Sequence, residues 1–248
     1  MRNLSLSLRI YIGLVITLAV LGAVSIFLPV YQALVPSQEL PASKPVLALA
    51  NAGILLVVYG GLGYLGLVLS RKLGYAEIWD PDVSNRQRFL TPALIGAAVG
   101  VFLILGDAVF SRFHDLGPLP HPQFPLSLLA SITAGIGEEI IFRLFFISFW
   151  TWLISTVILK GRGRNPTFWI IAVLSALAFA LGHLPGVMAL FEFTTLTDIP
   201  AALLTEIILL NGVVSIFAAY YFRKFGFLAP VGIHFWTDVV WHVLWGLA

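Results

Sequence analysis

The sequence predicts an all-α protein: a polytopic transmembrane helical bundle of about seven spans. Three observations predict it. Hydrophobic residues make up 59% of the 248 residues and charged residues only 10%, against about 25% charged in soluble domains. Seven apolar windows recur along the chain, most of them near the roughly 20 residues that a helix needs to cross a bilayer. No polar segment between them exceeds about 20 residues, so no soluble domain fits, and no strand pattern or internal repeat is visible. The chain is expected to be a single membrane domain, 1–248, in the plasma membrane.

The windows are Ile10–Leu28, Val46–Leu69, Leu90–Phe110, Leu126–Leu159, Phe168–His183, Ile199–Phe222 and Phe225–Ala248. The first exceeds a usual signal-peptide core and is followed by no small-x-small cleavage site, so it is expected as a retained span. Pro29, Pro36, Pro41 and Pro45 mark the next connection as a loop, and Pro118, Pro120, Pro122 and Pro125 do the same before the fourth window. That window is too long for one perpendicular span and is expected to tilt or to run beyond the hydrocarbon. An eighth, partial span between Leu184 and Pro200 also fits.

Basic residues alternate between connections. Arg2 and Arg9 precede the first span; Arg71, Lys72, Arg86 and Arg88, then Lys160, Arg162 and Arg164, then Arg223 and Lys224 fill every second connection. The others hold only Lys44 and Arg112. Short loops rich in Lys and Arg stay in the cytoplasm, which places the N-terminus there. The net charge of +2 and the scattered basic residues give no nucleic-acid surface. With no cysteine in the chain, thiol nucleophiles, disulfides and cysteine metal sites are excluded.

The chemistry-bearing stretch is Ala134-Gly135-Ile136-Gly137-Glu138-Glu139-Ile140-Ile141-Phe142-Arg143. One charge at the centre of a spanning helix costs about 2.5–3.5 kcal/mol on insertion scales. Three within one stretch are therefore expected to face the protein interior or a water-filled cavity. Glu139 and Arg143 share a helix face in the favourable acid-first order. Glu138 points about 100° away and is left for another task. Gly135 and Gly137 permit close approach of another backbone or a substrate. Two more polar sites sit in apolar helices: His183, before a Pro-Gly break, and His234, Asp238 and His242, which form a stripe at four-residue spacing. Taken singly, each reads as well as an interface or helix-gluing group. Asp107 reads as an interface residue, and Glu206 and Asn211 as inter-helix hydrogen-bond partners. Taken together, a buried glutamate, imidazoles and a second carboxylate are equipment for hydrolysing an amide without a covalent intermediate.

Glu138-Glu139-x-x-x-Arg143, Phe179-x-x-x-His183 and His234-x-x-x-Asp238 resemble, in this order, the three motifs of the CAAX prenyl-protease and bacteriocin-processing family. The resemblance runs from about Leu126 to the C-terminus, 126–248, and leaves 1–110 as peripheral N-terminal spans. It implies a membrane-embedded helical endopeptidase; eukaryotic-type members remove the last three residues of prenylated CAAX proteins. By motif position Glu138 resembles the water-activating glutamate and His183 the histidine that helps hold or deprotonate that water. His234 and Asp238 resemble the pair assigned to the oxyanion, with Glu139 and Arg143 organising the site. The eukaryotic-type pattern has asparagine at the last position, and an ionised Asp238 has no hydrogen to donate to an oxyanion. It can instead orient His234 or His242.

The expected partners are the bilayer and a membrane-associated peptide or protein substrate, with no nucleic acid. No cofactor is expected. Zinc stays open, since Glu138, Glu139, His183 and His234 are plausible ligands, although no His-Glu-x-x-His occurs. A Gly-x-Ser-Gly-type serine-protease segment is also missing from the sequence. Two other classes stay open: a non-catalytic membrane partner in bacteriocin immunity or sensor regulation, and a transporter using the same groups as a proton relay.

Overall fold

Helices α1 (Leu6–Ser25), α2 (Lys44–Lys72), α3 (Arg86–Phe110) and α4 (Leu126–Ile158) fill the first part of the computed structural model, which describes residues 5–28 and 42–248. They are followed by α5 (Arg164–Leu181), a short α6 (Leu184–Leu190), α7 (Ala201–Phe225) and α8 (Leu228–Asp238), which continues in wider turns over Val239–Leu244. Among the described residues there is no strand. Six segments are long and apolar enough to cross a membrane: α1 to α4, the α5–α6 stretch Arg164–Leu190, and α7. The seventh window is realised as α8, which is shorter than the six. The protein is thus an integral, multi-pass helical bundle.

Helix starts follow the local chemistry. Ser5 accepts from the Leu8 amide at the start of α1. Pro45 was expected in a loop; it sits instead in the first turn of α2, where its missing N–H costs nothing. Pro29, Pro36, Pro41 and Arg2 lie outside the described residues. Gly163, with φ 63°, turns the chain into α5, and Gly226, with φ 80°, ends α7 two residues before α8. The Leu184–Pro200 stretch forms α6 and one 3₁₀ turn, Leu196–Asp198, rather than a longer partial span.

The exterior inverts the soluble pattern. Leu49 (76% exposed) and Val57 (74%) point outward, with Leu94, Leu105, Val173 and many like them, as expected where the solvent is lipid. The interior is built on α4: Ile140, Leu144 and Ile147 pack with Leu67 of α2, Tyr11 of α1, Phe168 of α5 and Phe222 of α7. α8 lies between α3 and α4. Gly96 and Gly100 of α3 lie against the α8 backbone at Ile233 and Thr237, and the Thr237 hydroxyl donates to the Gly96 carbonyl at 3.1 Å. This small-x-x-x-small contact holds α8 in place. Basic residues gather at one end of the bundle: Arg164 donates to the Leu73 carbonyl and Arg223 to Asn165. The segment 111–125 and α6 occupy the other end, joined through Leu116, Leu119, Leu184 and Leu203.

Candidate active site

The two adjacent glutamates end the regular part of α4, which widens into a π-helical stretch over Ile140–Ile147. Gly135, one turn earlier, packs against the backbone of Phe235, with its Cβ position 3.3 Å from the Phe235 nitrogen. A Cβ there would be tight against α8, next to His234.

Glu139 is fully buried. Its Oε1 lies 3.1 Å from Arg143 Nη1, also fully buried, which is the expected ion pair. The distance is that of a pair, but the Arg143 N–H groups are not aimed at the carboxylate as hydrogen-bond donors. The same Oε1 is 2.9 Å from His234 Nδ1. Because an ionised carboxylate only accepts, Nδ1 carries the hydrogen. The ring's other nitrogen, Nε2, lies 3.7 Å from Glu138 Oε2 and 3.6 Å from Asp238 Oδ2. The expectation that the glutamates serve separate tasks on separate faces is thereby modified: both reach the same imidazole, from opposite ring nitrogens. They differ in access. The Glu138 side chain is 37% exposed, whereas Asp238 is at 13% and Glu139 at 0%. The Glu138 Oε2 atom is nonetheless buried and has no hydrogen-bond partner.

His183 sits just past the end of α5, where its Nδ1 lies 2.8 Å from the Phe179 carbonyl. A carbonyl only accepts, so Nδ1–H donates, and the neutral ring presents a lone pair at Nε2. His183 joins the cluster through the Phe179 ring. That ring stands edge-on to His183 at 4.9 Å and to His234 at 5.6 Å, and the Arg143 guanidinium lies 4.6 Å from its centroid. The aromatic position of the Phe179-x-x-x-His183 pair is therefore the hub that fixes three functional side chains.

The polar groups outside the three motifs take unexpected places. His242 does not reach the Glu138 cluster directly; its Nδ1 lies 3.3 Å from Nδ1 of His121. Asp107, expected at an interface, is buried and accepts from the Leu119 amide at 2.9 Å. Glu206 keeps an inter-helix hydrogen-bond partner, Asp107 of α3, and also lies 3.5 Å from His114 of the 111–125 segment. Asn211 donates to the Ile207 carbonyl of its own helix. His114 and His121 were not legible as site neighbours, because their Pro-rich segment reads only as a loop. The available signal was two histidines among prolines between spans. Burial holds the His121 imidazole below the usual histidine range, against the opposing pull of Asp107. Among the described residues no group of three or more His, Asp or Glu side chains is arranged to hold a metal ion.

Fold and site together define a multi-pass membrane protein with a carboxylate–imidazole cluster inside its bundle. Residues 120–240 match the model of the type II CAAX prenyl endopeptidase Rce1-like family, which supports the CAAX protease family that the three motifs resemble. The match spans α4 to α8, which hold every motif residue. No curated protein and no solved structure matches the chain.

Proposed function

We propose that the protein is an intramembrane endopeptidase that hydrolyses a peptide bond of a membrane-associated, CAAX-type substrate with water activated by Glu138. The observation that carries this reading is the state of that carboxylate: a buried Oε2 without a hydrogen-bond partner, 3.7 Å from His234 Nε2, on a side chain still 37% exposed. It is the one carboxylate of the cluster that a water and a substrate reach together.

In this mechanism Glu138 accepts a proton from water as the water oxygen attacks the carbonyl carbon. The Nε2 lone pair of His183 accepts the water's second hydrogen and fixes its direction. The oxyanion of the tetrahedral adduct lies toward His234 Nε2, which as the imidazolium donates there while Nδ1–H stays on Glu139. The proton held by Glu138 passes to the departing nitrogen, the C–N bond breaks, and the carboxylate is restored. Asp238, 3.6 Å from the same Nε2, orients the ring rather than donating to the oxyanion. Arg143 holds Glu139, and Glu139 holds His234. No metal is required. The basic residues gathered at one bundle end support a cytoplasmic N-terminus.

The test is peptide cleavage by the purified chain, with the new termini read by mass spectrometry. Wild type is expected to cut and Glu138→Gln, which keeps the shape, to be inactive. A Glu138→Gln variant as active as wild type sinks the mechanism.

A further inference from the structure

Each turnover of the proposed hydrolysis consumes one water, and the cluster lies inside a bundle whose outer face is apolar. A peptide seated against Glu138 covers the exposed side of that carboxylate. Water then needs a second route, and α8 provides a line of polar groups. His234 and Asp238 are in contact at 3.6 Å, and exposure rises along the helix from 5% for the His234 side chain to 13% for Asp238. One turn further, His242 is only partly buried and meets His121 at 3.3 Å, Nδ1 to Nδ1. His121 itself is partly exposed on the 111–125 segment.

The Nδ1–Nδ1 contact fixes the chemistry of the pair. Two neutral rings bond this way only if one carries its hydrogen on Nδ1 and the other on Nε2. The pair then has one free acceptor and one free donor, both at Nε2, and these are the two ends a file of water needs. Trp241, which packs in an apolar cluster with Val99, Leu103 and Leu210, stands beside both rings. Trp241 stands edge-on to His121 at 4.5 Å. The segment is anchored at two points ahead of His121: the Leu119 amide donates to Asp107, and His114 meets Glu206.

We propose that His242 and His121 form a gated water inlet, leading from the bundle end that carries the 111–125 segment to the Glu138–His234 cluster. Contact between the rings closes it, and their separation opens it. The inlet rests on the proposed hydrolytic reading, but its path is testable without activity.

The sequence contains no cysteine, so a single introduced thiol is the only target. The full-length chain in detergent is treated with a charged, lipid-insoluble methanethiosulfonate reagent. His242→Cys is expected to react faster than Val243→Cys, its buried neighbour on the packed side, and faster still when combined with His121→Ala. Equal, slow labelling at both positions, with either residue at 121, overturns the inlet. If His242→Cys does not fold, Asp238→Cys with His121→Ala makes the same comparison one turn deeper. Turnover supplies the second readout. His121→Phe is expected to lose about tenfold in kcat with KM unchanged, and His121→Gln, which still donates and accepts, to recover it. Rapid labelling with unchanged turnover in His121→Phe removes the inlet's role. A wild-type chain that labels but cleaves nothing counts against the proposed hydrolysis and leaves the path standing.

Discussion

Glu139 and His234 stand 95 residues apart in the chain and meet at 2.9 Å, with neither side chain more than 5% exposed. The contact ties α4 to α8 and fixes which nitrogen of His234 faces the open carboxylate. Through Glu139 it also joins His234 to Arg143, so one buried oxygen holds a guanidinium and an imidazole at once.

The two adjacent glutamates should therefore separate in mutagenesis. Glu138→Gln is expected to abolish cleavage and leave thermal stability in detergent near wild type. Glu139→Gln leaves Arg143 buried without its counter-charge, a change that costs about 3–5 kcal/mol in comparable buried pairs. It should lose both yield and activity. Arg143→Ala should behave like Glu139→Gln, and the double variant should be more stable than the sum of the two losses implies. The opposite pattern, with Glu138→Gln the unstable protein, would mean that the two roles are reversed.

The two histidines should also part. His234 is buried among three carboxylates, so His234→Ala is expected to lower the melting temperature as well as to stop cleavage. His183 is partly exposed and bonds only the carbonyl one turn back. His183→Ala should lose activity by at least about tenfold, through kcat, while melting close to wild type.

In the proposed mechanism Asp238 orients His234 rather than binding the oxyanion. Asp238→Asn keeps an acceptor for the ring and should retain substantial turnover, whereas Asp238→Ala should lose most of it. Equal loss in both variants, measured as kcat on the same peptide, would show that the negative charge itself is needed.

Exhaustive chelation should leave cleavage unchanged, since the proposed base is a carboxylate acting on free water. Inactivation by EDTA or phenanthroline that added zinc reverses would replace this mechanism with a metal-dependent one.

His121 gives a pH-dependent signature. Its folded-state pKa lies below the ordinary histidine value, so in acid the unfolded chain binds a proton that the folded chain does not. Stability is then lost as pH falls through the unfolded value of about 6.5 toward the lowered folded one. Melting curves of wild type and His121→Gln should diverge in that window, with the variant less sensitive to acid. Parallel curves from pH 7 to 5 would remove this role.

Apolar windows alone located the six spans, while the seventh window, Phe225–Ala248, became the shorter α8; lipid leaves a chain little choice but helix. Local punctuation was less legible. Pro45 reads equally as a loop residue and as a first-turn residue, and only the extent of α2 distinguishes them. The i,i+4 pair Glu139–Arg143 could be read because helix geometry brings its partners together without reference to the rest of the fold. The contacts of His114 with Glu206, Leu119 with Asp107 and His121 with His242 could not, since one partner in each comes from the 111–125 segment, whose path no periodicity encodes.

The sequence by itself determined that Glu138, Glu139, Arg143, His234 and Asp238 lie within apolar helices and His183 at the end of one, where the cost of leaving charge in lipid requires charged groups to face inward. Only the tertiary structure decided how they meet. Gly135 lets α8 approach α4 closely enough for His234 to sit between two neighbouring glutamates, and Phe179 supplies the ring on which His183, His234 and Arg143 converge. Those positions depend on the packing of helices distant in sequence, and side-chain spacing along one helix carries no information about that packing.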